Sequence, residues 1–390
     1  MRERDHAGGG GDLPLPLHVQ SLKRMPVGQR ACFRKALALL AEGRGPRALL
    51  QKADLPLAGL GVYEALLTRG WTVRFHDPKE MILLTEVAVE VAHGLDPSVH
   101  GEKEVADLRA RAWGELANAY RASDKLRSAD RHLSRAYALF VQGSGDPYLI
   151  ARLLDIDASL VGTWRSFSLA EDRYSLAAGF YRKLGETHLA GRGLISQALY
   201  AHYSCRPEEA LRLNQEGLAL IDRRRDSNLY LLAMHNDLLY LVELERFEEA
   251  KRRLFMSRQH LIYKDHVSSL RLRGIEGEIE YGLGNLVSAE IAFREVKEGM
   301  AEAGMAFHAA IASLDHAMVL LSQDRFDEAE KGVLEAMRIF SELEIYREFL
   351  GSVIVLEEVF KQRTVTPEMI KDTVAHLWRQ ELQIGSRHFE

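Results

Sequence analysis

Four arginines fall at nearly equal intervals along the middle of this 390-residue chain: Arg111, Arg152, Arg192 and Arg271. The first three are 41 and 40 residues apart; the fourth lies two further steps on, with Leu232 at the step between and Ile311 at the step after. A guanidinium presents a rigid fork of donors that matches a carboxylate bidentately, so such a column suits an acidic or extended peptide. The column has a rival use. Asp155, Asp157, Glu276 and Asp315 lie close by in sequence, and they could pair with arginines of neighbouring segments in an internal ladder, because charges in core-like slots have to be neutralised. The sequence leaves both uses open.

Catalytic constellations are missing. The chain has no phosphate-binding loop, no GxSxG elbow, no HExxH and no EF-hand loop, and the run Gly8–Gly11 lacks the strand and helix that a phosphate cradle needs. His308 and His316 are eight residues apart on one expected helix, a spacing that reads as two ordinary helix positions rather than a metal site. Cys32 and Cys205 stand far apart with no CxxC spacing, so neither zinc nor a disulfide framework is indicated. The basic residues Arg223, Arg224, Arg225, Lys251, Arg252 and Arg253 are interleaved with Asp222, Asp226, Glu248 and Glu249, which reads as a solvated face. The expectation is a non-enzyme with no cofactor and no metal.

Composition agrees with that class. Net charge is -5, against the basic balance that nucleic-acid binding draws on, and 47% of residues are hydrophobic, ample for a core. No apolar run approaches the roughly 20 residues of a membrane span, and the N-terminal stretch lacks the apolar centre of a signal peptide. A cytoplasmic location is expected.

The arginines must be positioned by helices, and those helices repeat. In Ala112–Ala136, Trp113, Leu116, Ala117 and Tyr120 share one face of a first helix, and Ala129, Leu133 and Ala136 share one face of a second. The small residues mark a close crossing, where a larger side chain would overpack at a cost of about 1–3 kcal/mol. The Ala129 position recurs at Ala170, Ala210, Ala250, Ala289 and Ala329, with steps of 41, 40, 40, 39 and 40. One more period in each direction reaches Met81 and Met369, atypical as terminal repeats are expected to be.

The pattern Trp113-x2-Leu116-Ala117-x2-Tyr120 followed by Ala129-x3-Leu133 resembles the tetratricopeptide repeat (TPR), and the long period is similar to that of MalT-type and peptide-responsive Rap/NprR-type bacterial regulators. The resemblance implies an all-α fold, a right-handed α-solenoid (TPR superhelix) of about eight helix pairs with a helical N-terminal cap. Since register within each unit is kept, the residues beyond the family's period of 34 belong at the end of the second helix and in the connection to the next unit. Expected domains are a flexible tail at 1–28, the cap at 29–61, the solenoid at 62–382 and a C-terminal tail at 383–390. A helix-turn-helix over Ala48–Gly70 is the weaker reading there, because Pro56, Gly59 and Gly61 suit a loop at least as well.

The resemblance also implies that first helices line a concave groove, where the arginine column falls. Asn118 matches the asparagine that accompanies a carboxylate-gripping basic residue in the family, whereas Ser159 and Leu199 replace it in the next two units. The groove candidates are therefore Arg111, Asn118, Arg152, Arg192, His202, Tyr203, His235, Asn236 and Arg271. The function implied is a protein-interaction scaffold or peptide sensor in bacterial signalling, with an acidic protein or peptide partner and a homo-oligomer left open. The alternative is a ligand-responsive transcription regulator.

Overall fold

The computed structural model describes residues 25–49, 59–74, 77–258, 265–342, 356, 359–360 and 363–384, and no strand occurs among them. The all-α helical-repeat solenoid expected from the sequence is the fold observed. The chain divides into two compact units, residues 1–197 with 220–227, and residues 198–219 with 228–390.

The first unit opens with α1 (Val27–Ala41), α2 (Pro46–Leu49), α3 (Leu60–Val73), α4 (Pro78–His93) and α5 (Pro97–His100). It continues with the pairs α6 (Glu102–Ala122) and α7 (Leu126–Phe140), α8 (Pro147–Thr163) and α9 (Phe167–Lys183), and the first part of α10 (Thr187–Tyr203). Asp77, Asp96 and Asp146 each precede a proline and accept a hydrogen bond from a first-turn amide, so Asp-Pro marks three helix starts. α1 packs directly on α3. A Cβ at Gly61 would lie 2.4 Å from the Gln29 carbonyl oxygen, so this glycine sits inside a helix for close approach; the loop reading of Gly61 is corrected, while residues 50–58 of that stretch lie outside the described residues.

The second unit contains α11 (Pro207–Leu220), α12 (Ser227–Glu243), α13 (Phe247–Ser257), α14 (His266–Gly282), α15 (Leu286–Glu302), α16 (Ala306–Ser322), α17 (Phe326–Glu342) and α18 (Pro367–Ile384). α14 packs on α13 and α15, α16 packs on α15 and α17, and the first helix α16 also packs on α18.

All six recurrent alanines are fully buried. Met81 fills the equivalent slot, and the 48 residues from it to Ala129 accommodate the extra helix α5. Met369 does not fill it. Its side chain is 42% exposed while Ile370 is fully buried, so the last unit is displaced by one residue, a shift that places its apolar stripe rather than its methionine on the core side. The long period is helical: α8, α9, α10, α12, α14, α15, α16 and α17 each have 17 residues. Residues 184–186 are the whole connection between α9 and α10.

One turn repeats within the units. Asp124, Arg165, Cys205, Glu245, Gly284 and Asp324 all adopt positive φ, between 55° and 77°. Around Arg165, the Ser166 amide bonds the Val161 carbonyl and the Arg165 amide bonds the Gly162 carbonyl, the paired 6→1 and 5→2 arrangement that satisfies a helix C-terminus.

Candidate functional site

In the first unit the arginine column is an ion-pair ladder. Arg111 on α6 donates from both terminal nitrogens to Glu64 on α3, at 2.5 and 3.0 Å. Arg152 on α8 donates to both oxygens of Glu115 on α6, each at 2.8 Å, and to Asp155 one turn along at 2.5 Å. Arg192 on α10 donates to the same Asp155 oxygen. Arg111, Arg152, Glu64 and Asp155 are buried. Burial alone would push the Asp155 carboxyl up, but Arg192 and Arg152 outweigh it and hold the group below the usual range. Burial would likewise release the Arg111 proton, and Glu64 reverses that effect.

Asn118 is buried and accepts from Arg121 at 3.1 and 3.2 Å rather than facing an open surface. Of the four carboxylates considered as ladder partners, Asp155 joins the column, Asp157 pairs with Arg173 and accepts from Tyr137, and Glu276 pairs with Arg273 on its own helix. Asp315 pairs with no arginine among the described residues.

The second unit is built differently. Three of its first helices, α12, α14 and α16, carry two rows of polar groups seven or eight residues apart. One row is His235, Arg271 and His308; the other is Glu243, Glu278 and Asp315. Arg271 and Glu243 are exposed, and the other four are half-buried. Burial, then the charge of Arg271, pushes His235 down to about 4 and lowers His308. Burial, then the neighbouring Glu243 carboxylate, pushes Glu278 up to about 7. Asp315 is raised well above the carboxylate range by burial and by Glu278. Among the described residues Arg271, Glu278 and Asp315 make no hydrogen bond or ion pair, whereas Glu243 meets His202 at 3.0 Å. His202 also lies against the rings of Tyr203 and Tyr240, at 5.5 and 5.2 Å. Asn236 is buried beneath this face.

Residue types and spacing marked Arg271, His235, His202 and Tyr203. They missed Glu243 and Glu278, which occupy different slots of their repeats, and they missed Glu64, which precedes the clearest repeat. The remaining basic residues are largely paired: Arg225 approaches Glu186 at 3.6 Å, Lys251 meets Glu280 at 3.0 Å, and Arg253 meets Asp237 and Glu249 at 2.6 and 3.1 Å. Among the described residues no three His, Cys, Asp or Glu side chains converge as a metal would require, and no helix is long and apolar enough to cross a membrane.

No protein-family model matches the chain, and no curated protein matches its sequence. Among solved structures the fold is similar to that of the Rap protein complexed with competence and sporulation factor, with a TM-score of 0.56 at 12% identity, covering 83% of this chain and 88% of that one. The class defined by fold is thus the helical-repeat solenoid.

Proposed function

We propose that the protein is a non-catalytic interaction scaffold or peptide sensor in bacterial regulation, and that its partner docks on the first helices of the second unit. The observation that carries this reading is the contrast between the units. The first unit neutralises the arginines on its first helices internally; the second leaves Arg271, Glu278 and Asp315 without a partner among the described residues, on a partly buried face. Half-buried carboxyls without a partner, as at Glu278 and Asp315, cost stability when ionised, and such local costs are expected where a site serves function. The likeness to the Rap protein, solved with competence and sporulation factor, supports a bound regulatory partner.

The two rows specify partner chemistry. Seven residues of helix rise by about 10 Å, which an extended chain spans in about three residues. A peptide running along these helices would set an acidic side chain against Arg271 and a basic one, about three positions away, against Glu278 and Asp315. Selection from a displayed random-peptide library tests this. The wild-type chain should enrich sequences with one acidic and one basic residue at that spacing, and an Arg271→Ala, Asp315→Ala variant should not. Enrichment of the same sequences by both chains would remove the second-unit face from the account.

A further inference from the structure

The helix α18 reaches the polar face of the second unit at two points. The Lys371 ammonium meets the Glu245 carboxylate at 2.9 Å, in the left-handed turn that follows α12. Two turns further along α18, the Trp378 ring lies edge-on to Phe307 and His308 at the start of α16, at 6.2 and 5.5 Å. Lys371 and Trp378 are seven residues apart, so they project from the same side of α18. Seven is also the spacing between the two rows on α14 and α16. α18 thus sets a cation beside the acidic row and an aromatic ring beside the row of His235, Arg271 and His308.

The two parts of this contact differ in strength. Ile370, Val374 and Leu377 are buried in one apolar cluster with Ala310, Ile311 and Leu314 of α16, so the helix belongs to the core. Lys371 and Glu245 keep 55% and 67% side-chain exposure, and an exposed ion pair contributes little. The ammonium can exchange while the helix stays. Its field already reaches the acidic row, because Lys371 opposes Glu243 in its effect on the Glu278 carboxyl, and Glu278 in turn acts on Asp315.

We propose that Lys371 is a built-in competitor for the basic side chain of the partner: resting on Glu245, its ammonium screens the acidic row in the free protein, and a docking cation must displace it. Trp378 fixes the register of α18 against α16. The proposal rests on the second-unit docking reading, and two measurements on the full chain keep the two apart. Without any ligand, the Glu278 carboxyl is titrated by carbon-13 NMR. Its midpoint should move upward in Lys371→Gln and stay in place in Lys371→Arg, which keeps the charge. No movement in Lys371→Gln overturns the competitor, whatever docks on this face. The second measurement uses a capped alanine hexapeptide carrying one aspartate and, three positions on, one lysine. Its affinity, read by chemical-shift titration, should rise about twofold to fivefold in Lys371→Gln and fall in the Arg271→Ala, Asp315→Ala variant. An unchanged or weaker affinity in Lys371→Gln, beside a loss in the Arg271→Ala, Asp315→Ala variant, overturns the competitor and leaves the docking face standing. Absence of binding, or equal affinity in all three chains, removes the docking face and the competitor with it.

Discussion

Arg152 and Arg271 occupy the same slot in their repeats, yet the structure gives them opposite roles. Arg152 is buried between Glu115 and Asp155; Arg271 is exposed and has no ion pair among the described residues. Breaking a buried pair strands a charge, so Arg152→Ala should destabilise the protein by about 3–5 kcal/mol. Arg271→Ala should stay within about 0.5 kcal/mol. Urea unfolding midpoints would separate the two. The Glu278 carboxyl supplies a pH signature. Because its folded value of about 7 exceeds the ordinary 4.5, the folded chain binds the proton more tightly than the unfolded chain. The stability this contributes is fully present below about pH 4.5 and is lost as pH rises through 7. Glu278→Gln should remove that decline, so the variant gains on the wild type between pH 5 and 8. An unchanged wild-type slope in the variant would place the titration elsewhere. Cationic partners should correspondingly bind more tightly at pH 8 than at pH 6.

At the scale of the element, the repeat was legible because it rests on sterics that every unit must satisfy. The alanine slot is a close helix crossing, and all six alanines lie in it fully buried. The left-handed residue five positions earlier obeys the same period without sharing a residue type: Asp, Arg, Cys, Glu, Gly and Asp all serve. No sequence pattern announces such a turn. It nevertheless predicts energetics, since a Cβ in this region costs about 1 kcal/mol. Gly284→Ala should destabilise by about that amount and Asp324→Gly should stabilise by about 0.5 kcal/mol, both read from chemical unfolding. The site was less legible than the elements. Spacing found the arginine column, but a ladder requires knowing that Glu64 and Glu115 reach it from preceding helices. The rows of the second unit mix repeat slots, so a fixed register could not assemble them. Met369 failed for the related reason that one residue of drift turns a helix face by about 100°, enough to exchange Met369 for Ile370.

For the whole molecule, the proposed function rests on where the described residues leave charge without a partner. The same repeated helix pair supplies a closed ion-pair ladder in one unit and an open, two-row face in the other, so repetition of the fold does not imply repetition of role. The most direct test of the central claim installs a photo-crosslinking amino acid at Leu232 and, separately, at Leu334. Leu232 is 50% exposed on the first helix α12, and Leu334 is 47% exposed on the second helix α17. In native extract, partner adducts should form at Leu232 and not at Leu334. Adducts at Leu334 with none at Leu232 would contradict docking on the first-helix face.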